Sequence, residues 1–163
     1  MDTKDRTPAD RQRTARVLAG ATQAELADLW RAWGDGRPEI EYLRGPEAGL
    51  VMLQARTGGT GDRFHLGEAT VTRATVAVRG AGDDAVGTAY VLGSHPEHAA
   101  LAAIFDGLLG SADRERALAE VIEPLEHAQA ERDRRRRADA RSTVVDFFTV
   151  ARENDGADDE DDE

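Results

Sequence analysis

The chain has 163 residues, which suits one well-packed domain, and it contains no cysteine. Disulfides, cysteine-ligated zinc, iron–sulfur clusters and a thiolate nucleophile within this chain are therefore excluded. The formal net charge is −11, but residues 153–163 hold eight acids and no base, so the rest of the chain carries only −3.

The N-terminal third is predicted to be helical. Residues 1–6 are expected to be flexible, and their charged sequence has no apolar segment of the kind found in a secretory signal. Thr7 before Pro8 is typical of a helix cap, and Thr22 with Glu25 predicts a capping box for a second helix. That second helix has one apolar face, formed by Leu26, Leu29, Trp30 and Trp33.

Four strands are predicted next. Residues 39–44 alternate between apolar and charged, which indicates a strand that is wet on one side. Leu50–Leu53 is apolar without alternation and predicts a strand covered on both faces, with a turn at the intervening glycines and proline. Residues 64–79 form one long strand or two, with a bulge or bend near Thr72–Ala74. Residues 86–93 predict the last strand.

Helical periodicity returns after the strands. Ser94 and Glu97 predict a capping box for a third helix, and residues 111–141 are predicted to be helical with a kink or fresh start at Pro124. This order indicates an α+β domain over residues 7–152, with a four-stranded, mainly antiparallel sheet packed against N-terminal and C-terminal helices. Residues 153–163 are expected to form a disordered, solubilising acidic tail; contact with a basic partner is the alternative.

Three patterns in the sequence bear on metal binding, phosphate contact or nucleic-acid binding. His95 and His98 have a spacing that two metal ligands could use, but ordinary polarity near a helix start is favoured and no metal site is expected. The arginine-rich run 132–137 is interpreted as a solvated helix face rather than a phosphate contact. The first two helices resemble a helix-turn-helix, but the second begins with apolar and acidic residues, which disfavours DNA binding. No catalytic residue is evident.

The glycine-rich stretch 58–61 is flanked by Arg56 and Arg63, with Arg73 further along. It matches neither a phosphate-binding P-loop nor a dinucleotide fingerprint, because a strand rather than a helix follows it. A glycine-rich turn or bulge is favoured, and an anion held by backbone amides and the arginines is the alternative. The segment 142–152 carries Phe147 beside Phe148, which suits docking either on the domain's own core or in a partner's groove.

Together these segments resemble the G subunit of the bacterial phosphonate carbon–phosphorus lyase core complex, from about the second helix through residue 152. The motifs that carry the resemblance are Gln54–Arg56, Gly58–Gly61, Arg63–Phe64, Gly67–Thr70, Thr72–Ala74 and Val145–Arg152. The chain differs from the usual pattern in its longer N-terminus, its acidic end, the arginine run and an enlarged loop near residue 82.

The resemblance implies a cytoplasmic complex with H, I and J subunits and with ATP-binding-cassette-type proteins. In that family a phosphonate displaces adenine from ATP and gives ribose 1-phosphonate 5-triphosphate. The nucleosidase chemistry is credited to the I subunit. Radical cleavage with S-adenosylmethionine and an iron–sulfur cluster is credited to the J subunit. The absence of cysteine agrees independently that this chain cannot hold that cluster, and we expect a helper subunit with no cofactor of its own.

The resemblance also directs attention to particular residues. Candidates for contact with substrate or a neighbouring subunit are Arg56, Gly58, Gly59, Thr60, Gly61, Arg63, Thr72 and Arg73, and Phe147 and Phe148 are expected at an interface. A stand-alone enzyme with an anion site at Arg56, Arg63 and Arg73 is one alternative. A nucleic-acid-binding module that uses the first two helices or the arginine run is another; neither nucleic acid nor membrane is expected as a partner.

Overall fold

Two capped helices begin the fold in the computed structural model, which describes residues 6–80 and 84–142. Helix α1 spans Pro8–Gly20 and helix α2 spans Gln23–Ala32. Both predicted caps are confirmed, because the hydroxyl of Thr7 accepts from the backbone N–H of Asp10 and that of Thr22 accepts from Glu25. Arg6 is held against the domain by an ion pair of 2.8 Å with Asp106, while residues 1–5 lie outside the described residues.

Within the described residues three strands follow, in the antiparallel order β1-β2-β3. Their bounds are β1 Glu39–Arg56, β2 Arg63–Arg79 and β3 Ala85–Leu92. The α+β class is confirmed, but the prediction of four strands is wrong, because residues 39–44 and 50–53 belong to the single strand β1.

A pair of irregularities in β1 explains the difference. Leu43 is an extra residue between the Tyr42–Val76 and Arg44–Thr75 pairs. Gly45 and Pro46 then lie opposite the single residue Ala74, so β1 bulges twice by one residue instead of turning the chain. A proline is tolerated there because β1 is an edge strand with no second neighbour among the described residues, so the N–H that proline lacks is not needed for a ladder hydrogen bond. The bend predicted near Thr72–Ala74 therefore exists, but its extra residues lie on the opposite strand.

Helix α3, Pro96–Leu108, packs across one face of β2 and β3. The predicted capping box of Ser94 and Glu97 is wrong, since the helix begins one residue later and its cap position is His95. The backbone N–H of His95 donates to the hydroxyl of Thr72 in β2, and Glu97 instead accepts a hydrogen bond from Gln23 of α2. Tertiary contacts thus take the place of the local cap.

The last helical segment contains the break predicted at Pro124. Helix α4, Arg114–Ala117, continues through a π-helical turn at Leu118–Ile122 into helix α5, Glu123–Ser142. Proline has no N–H to donate and its ring crowds the carbonyl four residues earlier. The wider π turn directly before Pro124 accommodates both effects.

The core lies between the inner face of the sheet and the helices. Phe105 of α3 is fully buried and meets the rings of Trp30 and Trp33 edge-on, at centroid distances of 5.9 and 6.2 Å. The guanidinium of Arg116 stacks over Trp33 at 4.1 Å. The apolar face of α2 is therefore part of the core.

Within the described residues, no helix is long and apolar enough to cross a membrane.

Candidate functional site

The far half of the β1–β2 hairpin extends beyond the rest of the domain. Strand β3 pairs with β2 only between Val71 and Val78, so β1 and β2 continue without it as a two-stranded ribbon. We call residues 50–70 the arm. None of its residues is buried, and its seven paired positions on β1 span roughly 24 Å at about 3.4 Å per residue.

The glycine-rich stretch forms the turn at the end of the arm. Gly58 and Gly59 have φ of 60° and 81°, the left-handed region that glycine enters without strain. The N–H of Gly61 donates to the carbonyl of Thr57 over 2.9 Å, and an added Cβ at Gly61 would lie 2.6 Å from that oxygen. The favoured interpretation as a turn is thus confirmed, with Thr60 part of the same turn.

The arm has two chemically different faces. Ala74, Val76 and Val78 of β2 face the core, so the odd positions of β2 from Gly67 onward lie on the outer face, away from α3. An extra β2 residue between the Leu53–Gly67 and Gln54–His65 pairs reverses this alternation, so Phe64 lies on the outer face nearer the tip. Val51 pairs with Ala69 and therefore lies on that outer face, as do the next alternate residues of the ribbon. With β3 they form a continuous exposed surface, which we call the outer apolar strip: Val51, Leu53, Phe64, Tyr90 and Leu92.

The opposite face is polar at the end of the arm. Gln54 pairs with His65, and two residues further out Arg56 pairs with Arg63. These four side chains share one face because residues two apart in a strand project to the same side. We call them the polar tip face, and all four side chains are exposed.

The structure separates the three arginines of the sequence-based anion site. Arg56 and Arg63 lie side by side on the polar tip face, and Arg56 donates to the carbonyl of Gly61 over 3.2 Å. Arg73 lies nearer the domain on the outer face, where its Nε donates to the carboxylate of Glu47 over 2.8 Å. The three guanidinium groups are therefore not arranged as one site.

Thr72, another predicted contact residue, is fully buried. Its hydroxyl donates to the carbonyl of Gly93 over 2.6 Å and accepts from the N–H of His95 over 2.8 Å. Because both hydrogen bonds are internal, this side chain fastens the β3–α3 connection to the sheet and presents nothing to a ligand.

The histidine pair is also divided. His98 is buried and its Nε2 lies 2.9 Å from the carbonyl oxygen of Leu18, whereas His95 occupies the cap position of α3. Across residues 6–80 and 84–142, no group of three histidine or acidic side chains is placed to hold a metal ion. A cavity of about 70 Å³ beside α1, lined by Arg6, Asp10 and Arg13 among others, is far smaller than the roughly 300 Å³ of a small-molecule site.

The start of α2 and the arginine run, the two features that could contact nucleic acid, make hydrogen bonds and ion pairs within the chain. At the start of α2, Gln23 bonds to Glu97 and Glu25 accepts from Arg132 over 2.6 Å. In the arginine run, Arg134 and Arg135 both pair with Glu131. The pKa of the Glu131 carboxyl is lowered by hydrogen bonds from Arg134 and Arg135. These contacts agree with a helix face that balances its own charge.

Sequence reasoning missed the outer apolar strip and half of the polar tip face. Leu50–Leu53 was expected to be covered on both faces, yet every one of these side chains is exposed, Leu50 to 65%. In the part of the chain that the structure describes, every strongly exposed large apolar side chain lies in the three strands. Phe147 and Phe148, the predicted interface pair, lie outside the described residues.

Comparison with known proteins connects this architecture to a family. The model of the family described as "Phosphonate metabolism protein PhnG" matches residues 9–153. A protein of Rhizobium meliloti (strain 1021), named alpha-D-ribose 1-methylphosphonate 5-triphosphate synthase subunit PhnG, is 43% identical over 147 residues. That alignment covers 90% of this chain and 92% of the relative. The chain belongs to the PhnG family of phosphonate metabolism proteins.

Proposed function

We propose that this chain is a helper subunit of a cytoplasmic ribose 1-methylphosphonate 5-triphosphate synthase and that the arm docks it to its partners. The name of the Rhizobium meliloti relative supports the assignment to such a complex. The partners we propose are the H, I and J subunits, together with ATP-binding-cassette-type proteins. ATP and a phosphonate would be the substrates of the complex, and the iron–sulfur cluster and S-adenosylmethionine would reside in a partner.

The observation that carries the docking role is the exposed arm. A two-stranded ribbon without a covering layer is marginally stable in water. Contiguous exposed apolar surface in a soluble protein marks an interaction site, and aromatic residues are enriched in such interfaces. The outer apolar strip includes Phe64 near the tip of the arm and Tyr90 on β3, and Leu92, two residues along β3 from Tyr90, is 72% exposed. A partner that covers this strip would bury the exposed apolar surface and stabilise the ribbon.

The arm can be tested by paired substitutions on its two faces. V51T/L53T removes apolar surface from the outer face while keeping residues that favour strands. We expect the isolated subunit to melt at the wild-type temperature, because both positions are exposed, and to be retained at least about tenfold less well by co-expressed partners. L50T/M52T, on the other face, is the matched comparison and should weaken assembly less.

The outcomes separate the parts of this proposal. If the wild-type chain and both variants are all retained normally by the partners, the arm is not the docking element, but the subunit assignment stands. Failure of the wild-type chain to co-purify with H, I and J subunits would remove that assignment. Turnover of ATP and a phosphonate by the purified chain alone would instead favour the stand-alone enzyme.

A further inference from the structure

The two arginines at the end of the arm differ from the other arginines of the sheet. Arg44, Arg73 and Arg79 each pair with a carboxylate, Arg79 with Glu41 and Asp84 at once. Arg56 and Arg63 face each other across the strands, and neither is within 4 Å of a carboxylate among the described residues. Like charges directly opposite in a ladder are destabilising. The tip therefore carries two guanidinium groups that form no ion pair with a described residue, although the exposed Asp62 lies in the same turn.

The chemistry of the polar tip face matches a chain of phosphate groups. Each guanidinium offers a planar fork of donors that fits phosphate oxygens in pairs, and Gln54 adds an amide donor. His65 adds an imidazole on the same face. Directly opposed residues have Cα atoms only about 4.5–5.5 Å apart, so both arginines can contact one phosphate chain while Gln54 and His65 lie one step further along it.

The tip is too small and too exposed to be a complete site. Two positive charges on a narrow turn do not form the extended basic surface that nucleic-acid binding requires. Exposed groups also hold an anion weakly in water, because solvent screens the interaction. A wall that excludes water has to come from whatever protein the arm enters, and the outer apolar strip, on the other face of the same ribbon, supplies the attachment.

We propose that the polar tip face supplies one side of a binding site for the 5′-polyphosphate of ATP or of the ribose triphosphate product, in a pocket completed by a neighbouring subunit. This inference rests on the proposed function, since the pocket exists only in the assembled complex. Arg56 and Arg63 are its principal ligands, and Gln54 and His65 select for a chain longer than one phosphate group.

The test is the double substitution R56Q/R63Q in the full complex. R136Q/R137Q is the matched control, because it removes two adjacent exposed arginines from α5. For R56Q/R63Q we expect normal assembly and a KM for ATP raised at least about tenfold, since charge-assisted hydrogen bonds are the strong ones. Inhibition by inorganic tripolyphosphate should weaken equally, and inhibition by adenosine should not change. The control should match wild type.

Each other result contradicts the inference. Normal assembly with an unchanged KM for ATP and unchanged tripolyphosphate inhibition would show that the tip does not contact the polyphosphate. Loss of assembly in R56Q/R63Q alone would show that the arginines bind acidic groups of a partner, which would overturn the inference and leave the docking role intact. Equal loss of tripolyphosphate and adenosine inhibition would indicate a general disturbance of the pocket rather than a polyphosphate contact.

Discussion

The hydroxyl of Thr72 forms hydrogen bonds with two backbone groups, the carbonyl of Gly93 and the N–H of His95. Without this hydroxyl both groups would lack that partner. T72V keeps the shape of the side chain and removes both hydrogen bonds. We expect the free energy of unfolding to fall by about 1–3 kcal/mol, the cost of leaving buried polar groups unsatisfied. Urea denaturation measures this loss. T70V, at an exposed position on the same strand, should change stability by less than about 0.5 kcal/mol, and equal losses would contradict the assigned role.

An ion pair between α1 and α5 gives the domain a pH-dependent component of stability. Two hydrogen bonds from Arg13, of 2.6 and 2.5 Å, hold the pKa of the Glu126 carboxyl below its ordinary value. A carboxyl with a lowered pKa in the folded state stabilises the protein above its unfolded pKa of about 4.3, and this contribution is lost as the pH falls through the lowered value.

E126Q should therefore reduce stability at neutral pH and have no effect at the acid end of the titration. Because both side chains are partly exposed, the reduction should not exceed about 1 kcal/mol. Urea denaturation of both proteins at stepped pH values measures the difference. A difference that stays constant down to the lowest pH would show that packing, not charge, is responsible.

Residue type alone does not show which polar side chains are buried with partners inside the domain and which are exposed. A threonine in a strand has the same local sequence whether it faces the core or solvent, so the sequence alone predicts contact for Thr72 and Arg73 alike, although the two lie on opposite faces. The arginines show the same limit. Their spacing drew attention to Arg56 and Arg63, but only the strand register joins them to Gln54 and His65 and separates them from Arg73.

At the scale of elements, α3 and β3 approach each other unusually closely. A Cβ built on Gly87 would lie 2.0 Å from the carbonyl oxygen of Ala103 and 2.3 Å from the backbone nitrogen of Gly107. Backbone atoms of a packed helix cannot move aside cheaply, so G87A should destabilise the domain by about 3 kcal/mol or more.

Thermal melting measures this effect. G49A is the control, since Gly49 lies in the same sheet and nothing would lie within 4 Å of its added Cβ. Similar melting temperatures for G87A and wild type would show that helix and strand are further apart than described.

Local sequence signals predicted the helices well and the sheet only in part. The caps at Thr7 and Thr22 and the break at Pro124 depend on residues within one helical turn, which a sequence displays directly. The cap expected at Ser94 failed because His95 and Glu97 make tertiary hydrogen bonds instead. Glycine and proline at 45 and 46 favour a turn and a bulge equally. The strand β2 decides between them, because its length provides partners for β1 on both sides of the irregularity. Such long-range pairing is not encoded in any short window.

For the whole molecule, the arm is separable from the folded domain. Gly49 and Val71 are register partners where β3 ends, so an Asn-Gly pair can replace residues 50–70 as a two-residue turn. We expect this shortened chain to fold with a free energy of unfolding within about 1 kcal/mol of wild type, because the deleted residues bury nothing in the core.

The partner subunits should no longer retain the shortened chain. Circular dichroism with thermal melting measures the folding, and co-purification with the H, I and J subunits measures the binding. A shortened chain that no longer folds would show that the arm stabilises the sheet, and one that still assembles would place the interface elsewhere.

Because the arm contributes nothing to the core, its sequence and that of the domain can change independently. A substitution in the domain changes the stability of the fold. A substitution in the arm is expected to change binding to the partner subunit. If the arm docks the subunit as proposed, it is a recognition element that can be exchanged between subunits. In a cell that holds two versions of such a complex, transplanting this one ribbon would then redirect a subunit from one assembly to the other without redesign of its fold.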